Sequence, residues 1–331
     1  PGPVDEEMLD RLAALGYLAS EPKEVSGPLS DPKALIPTLV DLESARQFQE
    51  ARQFQEEGDY ESAEAACRRA VEASPQMIDA WQLLGSSLEQ LGRFEESLEA
   101  YRKAMDIAGP GSELVLASAR VQLDLGQVDE ALEGIGLARQ EGVINPNSFR
   151  RMGLRLAELG RVEEALDLLA EVAQDETPES LNALARVLSE AGRQQEAIEI
   201  LNRVLEENPD NGKSYEHLGL VHLRLEQWES ARDYSRKAVD LVPELADAWN
   251  NLGAALYYLG RPLEALTAWE EAVKQDPSQY ETLFNIGVKA PELGQVERAK
   301  WALRRFIETA PAGRYDQDIE QARQLLSQLG G

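Results

Sequence analysis

An enzyme or a metalloprotein needs particular side chains at particular spacings, and this sequence is nearly bare of them. Its only histidines are His217 and His222, and its only cysteine is Cys67. On one helix, five residues set the two imidazoles about 140° apart around the axis, and no cysteine lies close enough in sequence to complete a metal site. No glycine-rich phosphate loop, zinc-ligand spacing or EF-hand loop occurs, and the acids are spread along the chain as solvated helix faces. Cys67 falls on a large apolar position and reads as a buried thiol. Being alone, it forms no intramolecular disulfide and says nothing about the redox compartment. The expectation is no catalytic residue, no metal ligand and no cofactor: the chain reads as a non-enzyme.

The elements around these residues read as helices. Aromatic residues make up 6% of the chain, and Ala, Leu, Glu, Arg and Gln dominate it, which is helix-forming material. With 33 basic and 60 acidic residues, the formal charge of −27 repels a phosphate backbone, so nucleic acid is excluded as a general partner. No run of about 18 apolar residues is present, so no membrane-spanning helix is expected, and the N-terminus lacks the basic-then-apolar order of a signal peptide. The first residue is Pro1 rather than Met, and a processed or excised fragment is the expectation.

A length of 331 residues suits two or three domains or one repeat array, and three ladders of residues decide for the array. Gly58, Gly92, Gly126, Gly160, Gly192, Gly260 and Gly294 are spaced by 34, 34, 34, 32, 68 and 34 residues, with Glu226 standing where the missing glycine would be. Five residues after each comes Ala63, Ser97, Ala131, Ala165, Ala197, Ala231, Ala265 and Ala299. Pro75, Pro209, Pro243, Pro277 and Pro311 mark repeat ends, with Pro110 one step out of register. A glycine fits the tight turn between two helices, a small residue fits where the helices cross, and a proline ends the second helix. One repeat is one helical hairpin.

The residues of that hairpin resemble the tetratricopeptide repeat. The seventh unit carries Trp249, Leu252-Gly253, Leu256, Gly260, Ala265, Trp269, Ala272 and Pro277, and the second carries Trp81, Leu84-Gly85, Leu88, Gly92, Phe94, Tyr101 and Ala104. The resemblance implies an all-α, right-handed α-solenoid of about eight hairpins, starting at Ser44, Ile78, Ser112, Pro146, Pro178, Gly212, Ala246 and Tyr280, over residues 44–313. Residues 314–331 then form a capping helix with Ile319, Ala322, Leu325, Leu326 and Leu329 on its apolar face. Phe54 takes a core position and Phe48 the groove side. Gly134 and Gly136 weaken the second helix of the third unit, an irregularity is expected near Gln174–Glu179, and Pro291 is expected to kink the first helix of the eighth unit.

In this family the first helix of each hairpin lines a concave groove that carries peptide ligands. Carried over position by position, that groove comprises Phe48, Arg52, Arg120, Arg150, Arg151, Asn182, Arg186, Leu220, Leu223, Asn250, Asn251, Tyr257, Tyr258, Phe284 and Asn285. The arginines suit acidic groups on a protein or peptide partner, and the aromatic residues beside amides suit an extended or helical peptide. The family's clamp for a C-terminal carboxylate needs Lys and Asn at two positions of one repeat, and no repeat has both.

Residues 1–43 fall outside the repeat. Val4–Leu15 reads as a short amphipathic helix ended by Gly16, Ser20–Asp31 as linker, and Asp31-Pro32 as a helix start. The string from Glu6 to Leu18, followed by Asp31-Pro32-Lys33, resembles the junction after the catalytic domain of bacterial sulfatase-like hydrolases that carry C-terminal tetratricopeptide repeats. That resemblance implies an upstream hydrolase domain and a periplasmic or other extracytoplasmic location; without it, a cytoplasmic adaptor is implied. The Cys/Ser-x-Pro-x-Arg signature of such sulfatases occurs nowhere in these residues. The leading expectation is a scaffold that holds a partner in its groove, with the accessory hydrolase module as the alternative.

Overall fold

At each expected turn glycine the backbone is left-handed, with φ between 69° and 79° from Gly58 to Gly294, and Glu226 takes the same conformation at φ 57°. A Cβ built on any of these glycines meets nothing within 4 Å, so the turn needs glycine for its φ and not for space. Glu226 is the one turn residue of the ladder that bears the steric cost of that region.

The structure, a computed structural model, describes residues 32–142, 145–311 and 313–330, with side chains described from Leu42 onward. The helix and the hydrolase-like string read between Val4 and Leu18 lie outside the described residues. Seventeen α-helices and no strand occur among the described residues. Contacts divide the chain into two compact units, Pro1–Leu114 and Val115–Gly331.

The first unit holds α1 (Pro32–Glu57), α2 (Tyr60–Ala73), α3 (Ile78–Gln90) and α4 (Phe94–Ala108), up to the opening of α5 (Ser112–Asp124). Helix α1 begins at Pro32, so Ser44 stands inside a helix of 26 residues and not at a helix start. The Asp31-Pro32 signal therefore governs, and the segment read as lead-in continues directly into the first hairpin. The core of this unit is Ala51, Ala66, Cys67, Leu84 and Leu88, with Phe48 and Phe54 packed against it. Burial pushes the Cys67 thiol up to about 12, which keeps it protonated and inert.

The second unit continues with α6 (Val128–Gln140), α7 (Pro146–Glu158), α8 (Val162–Val172), α9 (Pro178–Glu190), α10 (Gln194–Glu207) and α11 (Gly212–Arg224). It ends with α12 (Trp228–Leu241), α13 (Ala246–Tyr258), α14 (Pro262–Gln275), α15 (Tyr280–Lys289), α16 (Val296–Thr309) and α17 (Asp316–Gln328). Its core includes Phe149, Met152, Leu169, Leu201, Leu218, Leu252, Trp269 and Phe306. Within each hairpin the two helices touch closely. A Cβ on Gly253 would lie 2.4 Å from Trp269, and the crossing residues Ala165, Ala197, Ala231, Ala265 and Ala299 are fully buried. In the first unit the crossing residue Ser97 donates its hydroxyl to the Gly85 carbonyl at 2.7 Å.

Three local expectations meet different outcomes. The short fourth repeat ends in a 3-10 turn, Ala173–Asp175, followed by left-handed Glu176, which is the irregularity read from its length. Helix α6 runs unbroken through Gly134, where Ala119 and Val115 lie 3.3 Å from the Cβ position, so that glycine serves close packing. Pro291 kinks no helix. Helix α15 stops at Lys289, and Pro291 opens a 3-10 turn that closes on Gly294. Without its N–H the proline ends the α-helical ladder early, and the turn absorbs the change. After it, α17 lays Ile319, Leu325, Leu326 and Leu329 on the core and buries Ala322, as a cap does.

Candidate functional site

Four first helices of the second unit, α7, α9, α11 and α13, line one cavity of about 660 Å³. Their starts are fixed locally. Asn145 accepts from the Ser148 N–H at 3.0 Å at the head of α7, and Asn211 accepts from the Ser214 N–H at 2.9 Å at the head of α11. Thr177 accepts from the Ser180 N–H at 3.4 Å at the head of α9, where Pro178 occupies the first turn. Helix α13 lacks a side-chain cap; instead the Trp249 indole donates to the Pro243 carbonyl at 2.8 Å and ties the helix to the preceding repeat end. Trp81 does the same to Pro75 in the first unit at 2.9 Å.

The cavity floor is polar and buried. The Ser214 hydroxyl donates to Asn182 Oδ1 at 2.8 Å, which joins α11 to α9. Asn182 Nδ2 reaches Asn211 Oδ1 only at 3.5 Å, and Asn251 Nδ2 reaches the Glu216 carbonyl at 3.4 Å, so both amides keep hydrogen-bonding capacity. Glu216, 3% exposed, receives the Lys213 ammonium at 2.8 and 2.9 Å. Burial raises its carboxyl above the usual range against the pull of Lys213. His217 is 6% exposed, its Nδ1 has no hydrogen-bond partner, and the nearest Glu216 oxygen stands 3.8 Å away. Burial, aided by the positive charges of Lys213 and Arg186, pushes the imidazole down to about 3. His217 is therefore neutral at physiological pH.

Arg150 and Arg186 line the same cavity. Arg150 donates to the Asn147 side-chain oxygen at 3.0 Å, and Arg186 Nε is out of water with no hydrogen-bond partner. Leu154, Ala183 and Leu220 supply apolar wall between these groups.

The groove residues expected from the sequence thus separate. Arg150, Asn182, Arg186, Leu220, Asn250 and Asn251 share this cavity. Phe48 and Arg52 line a shallower cleft of the first unit with Gln55 and Ser86. Arg120 and Arg151 lie on α5 and α7 outside the cavity, as does half-buried Leu223 on α11. Tyr257 packs against Trp269 with its face toward Lys289, and Phe284 packs against Phe306, so these two rings belong to the hairpin interior more than to an open wall. Tyr258, 61% exposed, stacks on Trp228 with centroids 4.3 Å apart, and Asn285 is exposed. Sequence reading missed Lys213, Glu216, His217 and Asp247. Glu216 and His217 stand at the repeat positions of Asn250 and Asn251, so position alone could have found them, whereas Lys213 and Asp247 stand at a position that none of the expected residues occupies. Among the described residues no cluster of three or more His, Cys, Asp or Glu is placed to hold a metal ion, and no helix is long and apolar enough to cross a membrane.

Comparison with known proteins agrees with the helical-hairpin fold. Family models described as tetratricopeptide repeat match residues 48–113, 156–218 and 246–279. The chain is 26% identical to the BBSome complex member BBS4 of Bos taurus over 224 residues, covering 65% of this chain and 43% of that protein. It is 21% identical to a TPR repeat-containing protein of Methanocaldococcus jannaschii (76% of this chain, 42% of that one) and 21% identical to human protein O-mannosyl-transferase TMTC3 (75% and 26%). The chain thus spans half or less of the length of these curated relatives. Among solved structures, a tetratricopeptide repeat protein from Parabacteroides merdae superposes with a TM-score of 0.54 at 14% identity, over 88% of this chain and all of that one. The APC/C hetero-tetramer Cut9-Hcn1 gives 0.53 at 18% identity, over 98% and 59%. At such identities the likeness is one of fold. Matched in both units and built of hairpins with left-handed turns at the expected ladder, this chain contains tetratricopeptide repeats.

Proposed function

We propose that the chain is a protein–protein interaction scaffold and that the cavity between α7, α9, α11 and α13 holds an extended segment of its partner. The observation that carries this reading is the cavity floor, where buried amides and a buried imidazole have hydrogen-bonding capacity that no neighbour uses. Buried polar groups are normally satisfied, and a peptide backbone alternates the donors and acceptors that such a floor lacks. Leu154 and Leu220 give its side chains an apolar contact. A role in assembly also fits the bovine relative, which is named as a member of a complex. The accessory-module alternative rests on the Glu6–Leu18 string alone, none of the matches above is to a sulfatase-like hydrolase, and no step below depends on it.

The test uses a displayed library of random-sequence dodecapeptides selected on the immobilised chain. Selected peptides should lose at least tenfold in affinity for Leu220→Glu, which charges the cavity wall, and keep their affinity for Leu137→Glu, at an exposed site on α6. Equal affinity for both variants would reject the cavity as the binding site.

A further inference from the structure

We infer that the chain has a second interaction surface, separate from the cavity: the turn edge of the sixth and seventh hairpins, where Trp228, Tyr258 and Glu226 take an arginine side chain of a basic, partly apolar partner segment. Of the five large hydrophobic side chains exposed among the described residues, Leu225, Tyr258 and Leu263 stand at these two turns. Tyr258 closes α13 and stacks on Trp228, the first residue of α12, with centroids 4.3 Å apart and planes 16° apart. None of these side chains lines the cavity, and Tyr258 lies about 10 Å along the helix beyond Asn251.

Comparison between repeats marks these residues as departures. Where Tyr258 stands, the other seven hairpins carry Glu, Gln, Asp or Arg, and where Leu263 stands they carry Glu, Asp or Gln. Both side chains remain exposed, so neither change serves the core. Glu226 departs in the opposite sense. It occupies the left-handed turn that glycine takes in the other seven hairpins, with its side chain exposed and no base within ion-pair distance among the described residues. No contact within the fold offsets that conformation, and such strain persists where a site makes use of it.

Charge chooses the partner. On these two turns Arg261 is held by Glu264 at 2.6 Å and Arg224 donates to the Ser189 hydroxyl at 3.2 Å, while Glu226 and Glu229 are exposed and unpaired among the described residues. The formal charge of −27 draws a basic segment toward this edge and turns away an acidic one or a second copy of the chain. An arginine answers each feature: its planar guanidinium stacks on an aromatic face, and its N–H fork donates to a carboxylate. A lysine reaches the same acid without the stacking plane. Apolar neighbours of that arginine meet Leu225 and Leu263.

The experiment selects a displayed dodecapeptide library with one fixed arginine on the full chain carrying Leu220→Glu, which takes the cavity out of play. One selected peptide, with its Arg→Lys and Arg→Gln forms, is then titrated against Tyr258→Glu, Leu263→Glu and Glu226→Gly in that background. Each variant installs a residue that other hairpins carry at the same position, so the fold is kept, and thermal melting followed by circular dichroism verifies it. Binding should weaken at least tenfold for Tyr258→Glu, although that change adds an acid, and at least threefold for Leu263→Glu. It should weaken at least threefold for Glu226→Gly, although the turn is relaxed. The Arg→Gln peptide should lose at least tenfold and the Arg→Lys peptide at least threefold. Unchanged or tighter binding to Tyr258→Glu would mean attraction by charge alone and would overturn the aromatic site; unchanged binding to Glu226→Gly would overturn the role of its carboxylate. Sedimentation of the peptide-free chain as a dimer that Tyr258→Glu dissociates would assign the surface to a second copy and overturn the inference, as would recovery of no peptide. Failure of the groove reading leaves this surface standing, because the selection is made without the cavity.

Discussion

His217 is where burial and charge are set most sharply against each other. Its folded imidazole stays neutral down to about pH 3, while an unfolded one takes a proton near pH 6.5. The unfolded chain therefore binds more protons across that window, so the contribution of neutral His217 is fully present above about pH 6.5 and is lost as the pH falls toward 3. Between pH 7 and pH 5 this amounts to about 2 kcal/mol. Glu216 acts the other way: its raised carboxyl takes up its proton earlier in the folded state and so returns part of that loss at acid pH. Urea denaturation at pH 7 and pH 5 should show a smaller drop for His217→Gln than for the unaltered chain. An equal drop would mean that the imidazole is protonated in the fold. Glu226 is the second residue whose position outweighs its type. In the left-handed turn, Glu226→Gly should raise stability by roughly 1 kcal/mol, read as a higher urea midpoint, because glycine bears no Cβ clash there.

Among the elements, the second helix of a hairpin shows a recurring device that residue-by-residue reading passes over. Arg93, Arg161, Arg193 and Arg261 each follow a turn glycine at the N-cap of α4, α8, α10 and α14, and each pairs with the glutamate three residues on. The arginines hold the carboxyls of Glu96, Glu164 and Glu196 below their usual range, and those acids sit near the positive end of the helix. Exposed as they are, such pairs guide the turn more than they add stability. At the other end of the array, Tyr315 is buried against Tyr280 and Phe306 and ties α17 to the eighth hairpin. Truncation by Tyr315→Ala should cost about 3 kcal/mol locally. Because a repeat contacts mainly its neighbours, the loss should show as faster hydrogen exchange in α15 to α17 with α7 to α11 unchanged. Faster exchange throughout the unit would show that it unfolds as one block.

For the whole molecule, the sequence was most legible where one physical requirement recurs at one period. A left-handed turn, a close crossing and a helix stop each demand a residue type, and eight repetitions made the hairpin evident from Gly58, Ala63 and Pro75 onward. Legibility failed where neighbours decide. Pro32 and Pro291 show that a proline can open one long helix and close another early, depending on whether the next turn has an acceptable path. The aromatic rings at Tyr257 and Phe284 occupy groove positions by count, yet the partner rings of their own hairpins draw them inward. Glu216 and His217 gain their character only from burial between repeats, which no local pattern encodes. The central claim is that a partner segment lies along α7, α9, α11 and α13, and hydrogen exchange with and without a library-selected peptide tests it most directly. Added protection concentrated in those four helices is the predicted result; protection confined to α14 and α16, or to the first unit, would contradict it.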